Sequence, residues 1–159
     1  MDEGDDGILP FRALGLSEAD ARDGDGNFFT YHVASAYTNA ALTPGLEAPD
    51  GFCGIDGHVA GGDLDIVDKD GHEVTDQDIA FVVVSHGKNA YGRYGPPNTA
   101  VLGANAGGPL ESENSDGDGR FVDSVVIAST GRNGPFDDVV LWATRDRLAN
   151  DAIEYGCAP

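Results

Sequence analysis

The chain has 159 residues, 40% of them hydrophobic, and carries 28 acidic against 9 basic side chains for a formal charge of -19. That length holds one domain with a real core, and such a charge repels phosphate backbones and acidic lipid headgroups, so no nucleic-acid partner is expected. No run approaches the roughly 20 apolar residues of a membrane helix, and the acidic opening has the wrong chemistry for a signal peptide, so the expectation is a cytosolic chain or one whose targeting segment has been removed.

Residues 1–7 are acidic and glycine-bearing and read as a disordered leader, with 8–159 as one globular domain. Ile8-Leu9-Pro10-Phe11 is an extended entry, because the residue before a proline avoids the α region. Leu16 to Ala21 predicts a short helical turn with Ser17 as N-cap. Asp23-Gly24-Asp25-Gly26-Asn27 is a polar turn leading into a strand over 28–33. From Ala34 to Asp76 the sequence is mostly loop, apart from the alternating Asp63-Leu64-Asp65-Ile66-Val67, read as a short edge strand. Ile79 to Val84 has the length and β-branching of a buried strand. It stops at Ser85-His86-Gly87-Lys88-Asn89, where polar side chains and a glycine favour a turn. Further strands are predicted over 121–128 and 136–143. Leu148, Ala149, Ala152 and Ile153 lie at helical spacing, so a short helix is predicted over 145–155. The expected fold is α+β: an antiparallel sheet of 28–33, 79–85, 121–128 and 136–143, with short helical pieces on one face.

The chemistry-bearing candidates are few. Asp23-x-Asp25-x-Asn27 and Asp116-x-Asp118-x-Arg120 imitate the opening of a helical calcium loop, but Ala34 and Ile127 stand where its twelfth-position glutamate belongs. The densest acidic stretch is Glu111-Ser112-Glu113-Asn114-Ser115-Asp116-Gly117-Asp118, with Asp137-Asp138 beside it if the last two strands pair. Like charges this close destabilise a fold unless a cation neutralises them. The candidate metal ligands are Asn114, Asp116, Asp118 and Asp138, with calcium as the ion; a merely solvated acidic loop is the other reading. Ser85-His86 is a poor nucleophile–base pair, since neighbours on a strand face opposite ways and no Gly-x-Ser-x-Gly elbow is present. No catalytic residue is expected. His32, His58, His72 and His86 lack the companions of a zinc site. Cys53 and Cys157 either close one large loop, worth roughly 2–5 kcal/mol in an oxidising compartment, or remain two free thiols.

Several islands occur in a telling order: Leu9-Pro10-Phe11-Arg12-Ala13-Leu14-Gly15-Leu16, Asp20 to Tyr31, Phe81-Val82-Val83-Val84-Ser85-His86-Gly87-Lys88-Asn89, Glu113 to Asp118, and Phe136-Asp137-Asp138-Val139-Val140-Leu141-Trp142. From about residue 8 to 150 the chain resembles the globular part of bacterial prepilin-type proteins, the type IV pilins and type II secretion pseudopilins. The resemblance implies a non-enzymatic filament subunit of the cell envelope, periplasmic or on the cell surface, that self-associates with other pilin-like subunits. It also implies a head whose antiparallel sheet packs on a long N-terminal hydrophobic helix. That helix, the membrane tether of the full-length form, is absent from this sequence, which suits a soluble or cleaved form. In the major pseudopilins a loop near the end of the sheet binds calcium, and 111–118 with Asp137-Asp138 matches that region in kind. A calcium-dependent extracellular adhesion or carbohydrate-binding module, with Tyr91 and Tyr94 lining a pocket, is the alternative; a small hydrolase using His86 is a second.

Overall fold

The structure is a computed structural model that describes residues 6–35, 63–95, 99–100, 108–128 and 134–154. In chain order the elements are β1 (Asp6–Ile8), β2 (Thr30–Val33), β3 (Asp65–Val67), β4 (Ile79–Ser85), β5 (Tyr94–Gly95), β6 (Thr99–Ala100), α1 (Pro109–Glu113), β7 (Arg120–Val122), β8 (Val139–Thr144) and α2 (Arg145–Glu154). The main sheet has the order β1-β2-β4-β8, antiparallel throughout. The fold is α+β, as expected. Asp6 and Gly7 sit in the sheet's first edge strand, where the sequence suggests a disordered leader. Cys53 and Cys157 both lie outside the described residues.

The long apolar run places β4 in the centre. Its register matches Thr30, Val84 and Val140 across three strands, and likewise His32, Val82 and Trp142. These residues share one face by the two-residue period of a strand. Val82 and Val84, with Val140 and Trp142 against them, pack with Ala34, Leu64, Ile66, Ile79 and Phe121 into the larger core cluster. The opposite face carries Tyr31, Phe81, Val83, Val139 and Leu141, of which Val139 is 60% and Leu141 63% exposed.

The predicted strand 121–128 does not join this sheet. Only Arg120–Val122 is extended and paired, and it runs parallel to β3 in a separate two-stranded sheet. A parallel pair needs a long crossover, and here the whole stretch carrying β4 and α1 supplies it. Past Val122 the chain leaves the pairing direction. Asp123 turns to accept a hydrogen bond from Trp142 Nε1 at 3.1 Å, Val125 and Val126 are exposed, and Ile127 regains one bridge, to Phe136. Val67, Val122 and Phe136 then form a second, smaller core. The two cores flank the polar junction where β4 ends and β8 begins.

At the other end, the predicted turn of helix at 16–21 is a run of turns. Ser17 and Asp20 bond each other reciprocally, Ser17 Oγ donating to Asp20 Oδ2 at 2.6 Å, so the cap forms without a helix behind it. Asp23 Oδ1 accepts the Asp25 and Asn27 amides. Its carboxylate organises its own turn.

A buried carboxylate site at the end of the central strand

Beyond β4 the chain keeps alternating for one residue. Ser85 falls on the open face, where its hydroxyl donates to Asp23 Oδ2 at 2.9 Å. His86 falls on the core face, fully buried, with Nε2 2.7 Å from Thr30 Oγ1. The two side chains therefore point apart, as strand geometry requires, and Ser85 cannot use His86 as a base. Burial drives the imidazole pKa down to about 4, so His86 is neutral near pH 7.

Gly87 then turns the chain at φ +56°, and a Cβ there would lie 2.5 Å from Asp137 Cγ. Only glycine fits this approach. It lets the amides of Lys88 and Asn89 reach Asp137 Oδ2 at 3.0 and 3.4 Å. From the other side α1 delivers Glu111. Pro109 starts this helix, its missing N–H being harmless in the first turn. Glu111 Oε2 reaches back to the Gly108 amide at 3.3 Å, and Oε1 accepts from Asn89 Nδ2 at 2.8 Å and from the Asp137 amide at 3.2 Å.

Asn114, just past α1, bridges everything to the smaller sheet. Its Oδ1 accepts from the Val122 amide at 2.6 Å, and its Nδ2 donates to Val122 O at 3.4 Å and to Asp138 Oδ2 at 2.9 Å. Asp138 is 1% exposed. Its Oδ1 has no hydrogen-bond partner and stands 3.8 Å from His86 Nδ1. Asp137 Oδ1 is likewise buried without a partner.

Glu111, Asp137 and Asp138 thus bring three carboxylates to one place, with ligand oxygens all within 4.8 Å of one another. Desolvation raises the Glu111 pKa, with the Asp137 charge adding to it. Burial, reinforced by the charges of Glu111 and Asp137, pushes Asp138 up to about 8 against the opposing hydrogen bond from Asn114. Without a cation nearby, Asp138 keeps its proton near pH 7.

The donor set fits a hard divalent ion. It is all oxygen, it concentrates negative charge in a dry space, and it leaves two acceptor oxygens unused. The four ligands read from the sequence do not come together. Asn114 and Asp138 meet. Asp116 and Asp118 instead cap their own exposed loop, Asp116 Oδ1 accepting from the Asp118 amide and Asp118 Oδ1 from that of Arg120. Glu111 and Asp137 take their place. Glu111 and Asp137 belong to the acidic stretches that the sequence singles out, but not to the four ligands read from it.

A second trio, Asp68, Asp70 and His72, also lies close together, but it is largely exposed and Asp68 Oδ1 accepts the amides of Asp70 and His72. It is a turn.

A scan against protein-family models finds no match for the chain, and searches of curated proteins and of solved structures find none either.

Proposed function

We propose that this chain is the non-enzymatic structural head of a pilus-like or pseudopilus-like filament subunit in the cell envelope, with calcium held by Glu111, Asp137 and Asp138. The observation that carries the reading is the open face of the main sheet. Tyr31, Phe81, Val83, Val139 and Leu141 make one side of three adjacent strands apolar, and Val139 and Leu141 remain more than half exposed. A sheet face this apolar is built to be covered. An apolar helix belonging to a pilin-like subunit is the occupant that the order of sequence islands favours, and a filament is what such helices build. Among the described residues no helix is long and apolar enough to cross a membrane.

The carboxylate site serves the same role. Bound calcium would tie the 86–90 turn, α1 and the start of β8 into one unit, and each of the three ligands comes with its own supporting hydrogen bonds. The non-enzymatic reading is supported by Ser85 and His86 being turned to opposite faces and by the full burial of His86 and Asp138.

The test is a photo-crosslinking residue placed at Leu141 in the source cells, with Val74 as the exposed control. A crosslink from position 141, but not 74, to the apolar helix of a pilin-like subunit in sedimentable filaments is the expected result. Protein that stays soluble and monodisperse, with no crosslink at position 141, would overturn the reading.

A further inference from the structure

His86 brings a nitrogen to the edge of the carboxylate site. Its ring is 0% exposed, and its two nitrogens have different surroundings. Nε2 stands 2.7 Å from Thr30 Oγ1. Nδ1 is buried without a hydrogen-bond partner and stands 3.8 Å from Asp138 Oδ1. Asp138 Oδ1 and Asp137 Oδ1 are buried and unpartnered as well. The turn after β4 and the start of β8 therefore bring three unmatched polar atoms to one junction. Buried polar atoms are ordinarily matched, so a group of them in one place points to a ligand that they share.

The separation of Nδ1 and Oδ1 narrows the identity of that ligand. At 3.8 Å the two atoms are too far apart to hydrogen-bond directly. They are also too close for a bridging water, which at about 2.8 Å from each would have to bond well inside its tetrahedral angle. A metal ion about 2.2 Å from each would subtend roughly 120° between them, an ordinary angle between ligands. Thr30 decides which nitrogen is free to ligate. A metal-bound imidazole donates its other N–H to an oxygen, which fixes the tautomer and the ring. Thr30, 1% exposed, offers that oxygen to Nε2 and so leaves the lone pair on Nδ1. The Tyr91 carbonyl is a further oxygen close to the ring.

We propose that His86 Nδ1 and Asp138 Oδ1 ligate one ion together with the Glu111 and Asp137 carboxylates, making a mixed nitrogen–oxygen site for a divalent first-row transition ion. This rests on the reading of Glu111, Asp137 and Asp138 as an ion site. Calcium is served by oxygen, so it uses the three carboxylates and draws nothing from the imidazole. An ion that accepts nitrogen gains one more ligand from the same place and should bind more tightly than calcium. Asp68, Asp70 and His72 offer the same ligand types on the surface, and His72 is therefore the control.

Manganese(II) is the probe, because it is paramagnetic and prefers oxygen and imidazole to the thiolates that zinc would also take. Electron spin echo measurements on the manganese-loaded chain detect a directly bound nitrogen. Nitrogen modulation is expected in the wild type and in His72→Gln, and should be lost in His86→Gln. Thr30→Val keeps the side chain's shape and removes only the acceptor for Nε2. It should weaken manganese roughly 10–100-fold and leave calcium binding unchanged, which decides the matter even if His86→Gln does not fold. Manganese held by the carboxylates without nitrogen modulation, or no more tightly than calcium, would overturn the inference and leave the carboxylate site standing. Modulation lost in His72→Gln would also overturn it, moving the ion to the 68–72 turn. So would a Thr30→Val chain that loses calcium and manganese alike. Melting curves that respond to neither ion would remove the carboxylate site and this inference together.

Discussion

Removing calcium should lower the melting temperature, and restoring it should raise the temperature again, with magnesium a poor substitute. An ion that binds only the folded chain stabilises it by mass action; at a site of ~10 μM affinity, 1 mM calcium adds roughly 2.7 kcal/mol. Glu111→Gln combined with Asp137→Asn should abolish the response, because the amides keep the shape and the hydrogen-bond acceptors but lose two of three charges. Asp116→Ala combined with Asp118→Ala should leave it intact, since those carboxylates cap an exposed loop. The reverse pattern would return the ion to the 116–118 loop. Coincident wild-type curves in chelator, calcium and magnesium would remove the ion altogether.

The same experiment carries a pH signature. In the metal-free fold the Asp138 pKa is raised from 3.8 to about 8, so the folded state binds more protons than the unfolded one between those values, and stability falls as pH rises through them. His86 is depressed from 6.5 to about 4, so it loses stability as pH falls below 6.5. Above pH 6.5 the Asp138 effect is left unopposed by His86. The melting temperature without calcium should therefore fall from pH 6.5 to 8. Saturating calcium, which takes the ionised carboxylates, should flatten or reverse that slope; parallel curves with and without the ion would separate Asp138 from the site.

The second large effect is expected at Asn114, and it does not depend on any ion. Asn114→Ala removes three hydrogen bonds at once and strands the Val122 amide, the Val122 carbonyl and Asp138 Oδ2 in a buried space. Each buried group left unmatched costs about 1–3 kcal/mol, so urea unfolding in chelator should show a loss of roughly 3–5 kcal/mol. Asp116→Ala, two residues away, should cost no more than about 0.5 kcal/mol, as exposed substitutions do. Equal losses at the two positions would mean that Asn114 does not join the two sheets. The comparison is useful because both residues occupy the same acidic stretch, and sequence alone treats them alike.

That likeness marks where sequence stops being informative. The runs 79–85, 28–33 and 136–143 announced three strands of the main sheet, though not their order, because β-branching and a two-residue period are local properties. The terminal helix was legible for the same reason, and so was the opposed orientation of Ser85 and His86. The run 121–128 was locally just as strand-like. Its fate was decided by Asn114 holding Val122 and by Trp142 drawing Asp123 away, two partners distant in the chain. The neighbourhood of the carboxylate site was legible in its density of acidic residues. Its membership was not, because an aspartate can either cap its own loop or point into a shared cavity. Backbone amides within two residues satisfy Asp116 and Asp118. Glu111, Asp137 and Asp138 converge only because α1, the Gly87 turn and the start of β8 are packed between two cores, and only burial leaves two of their oxygens without a partner.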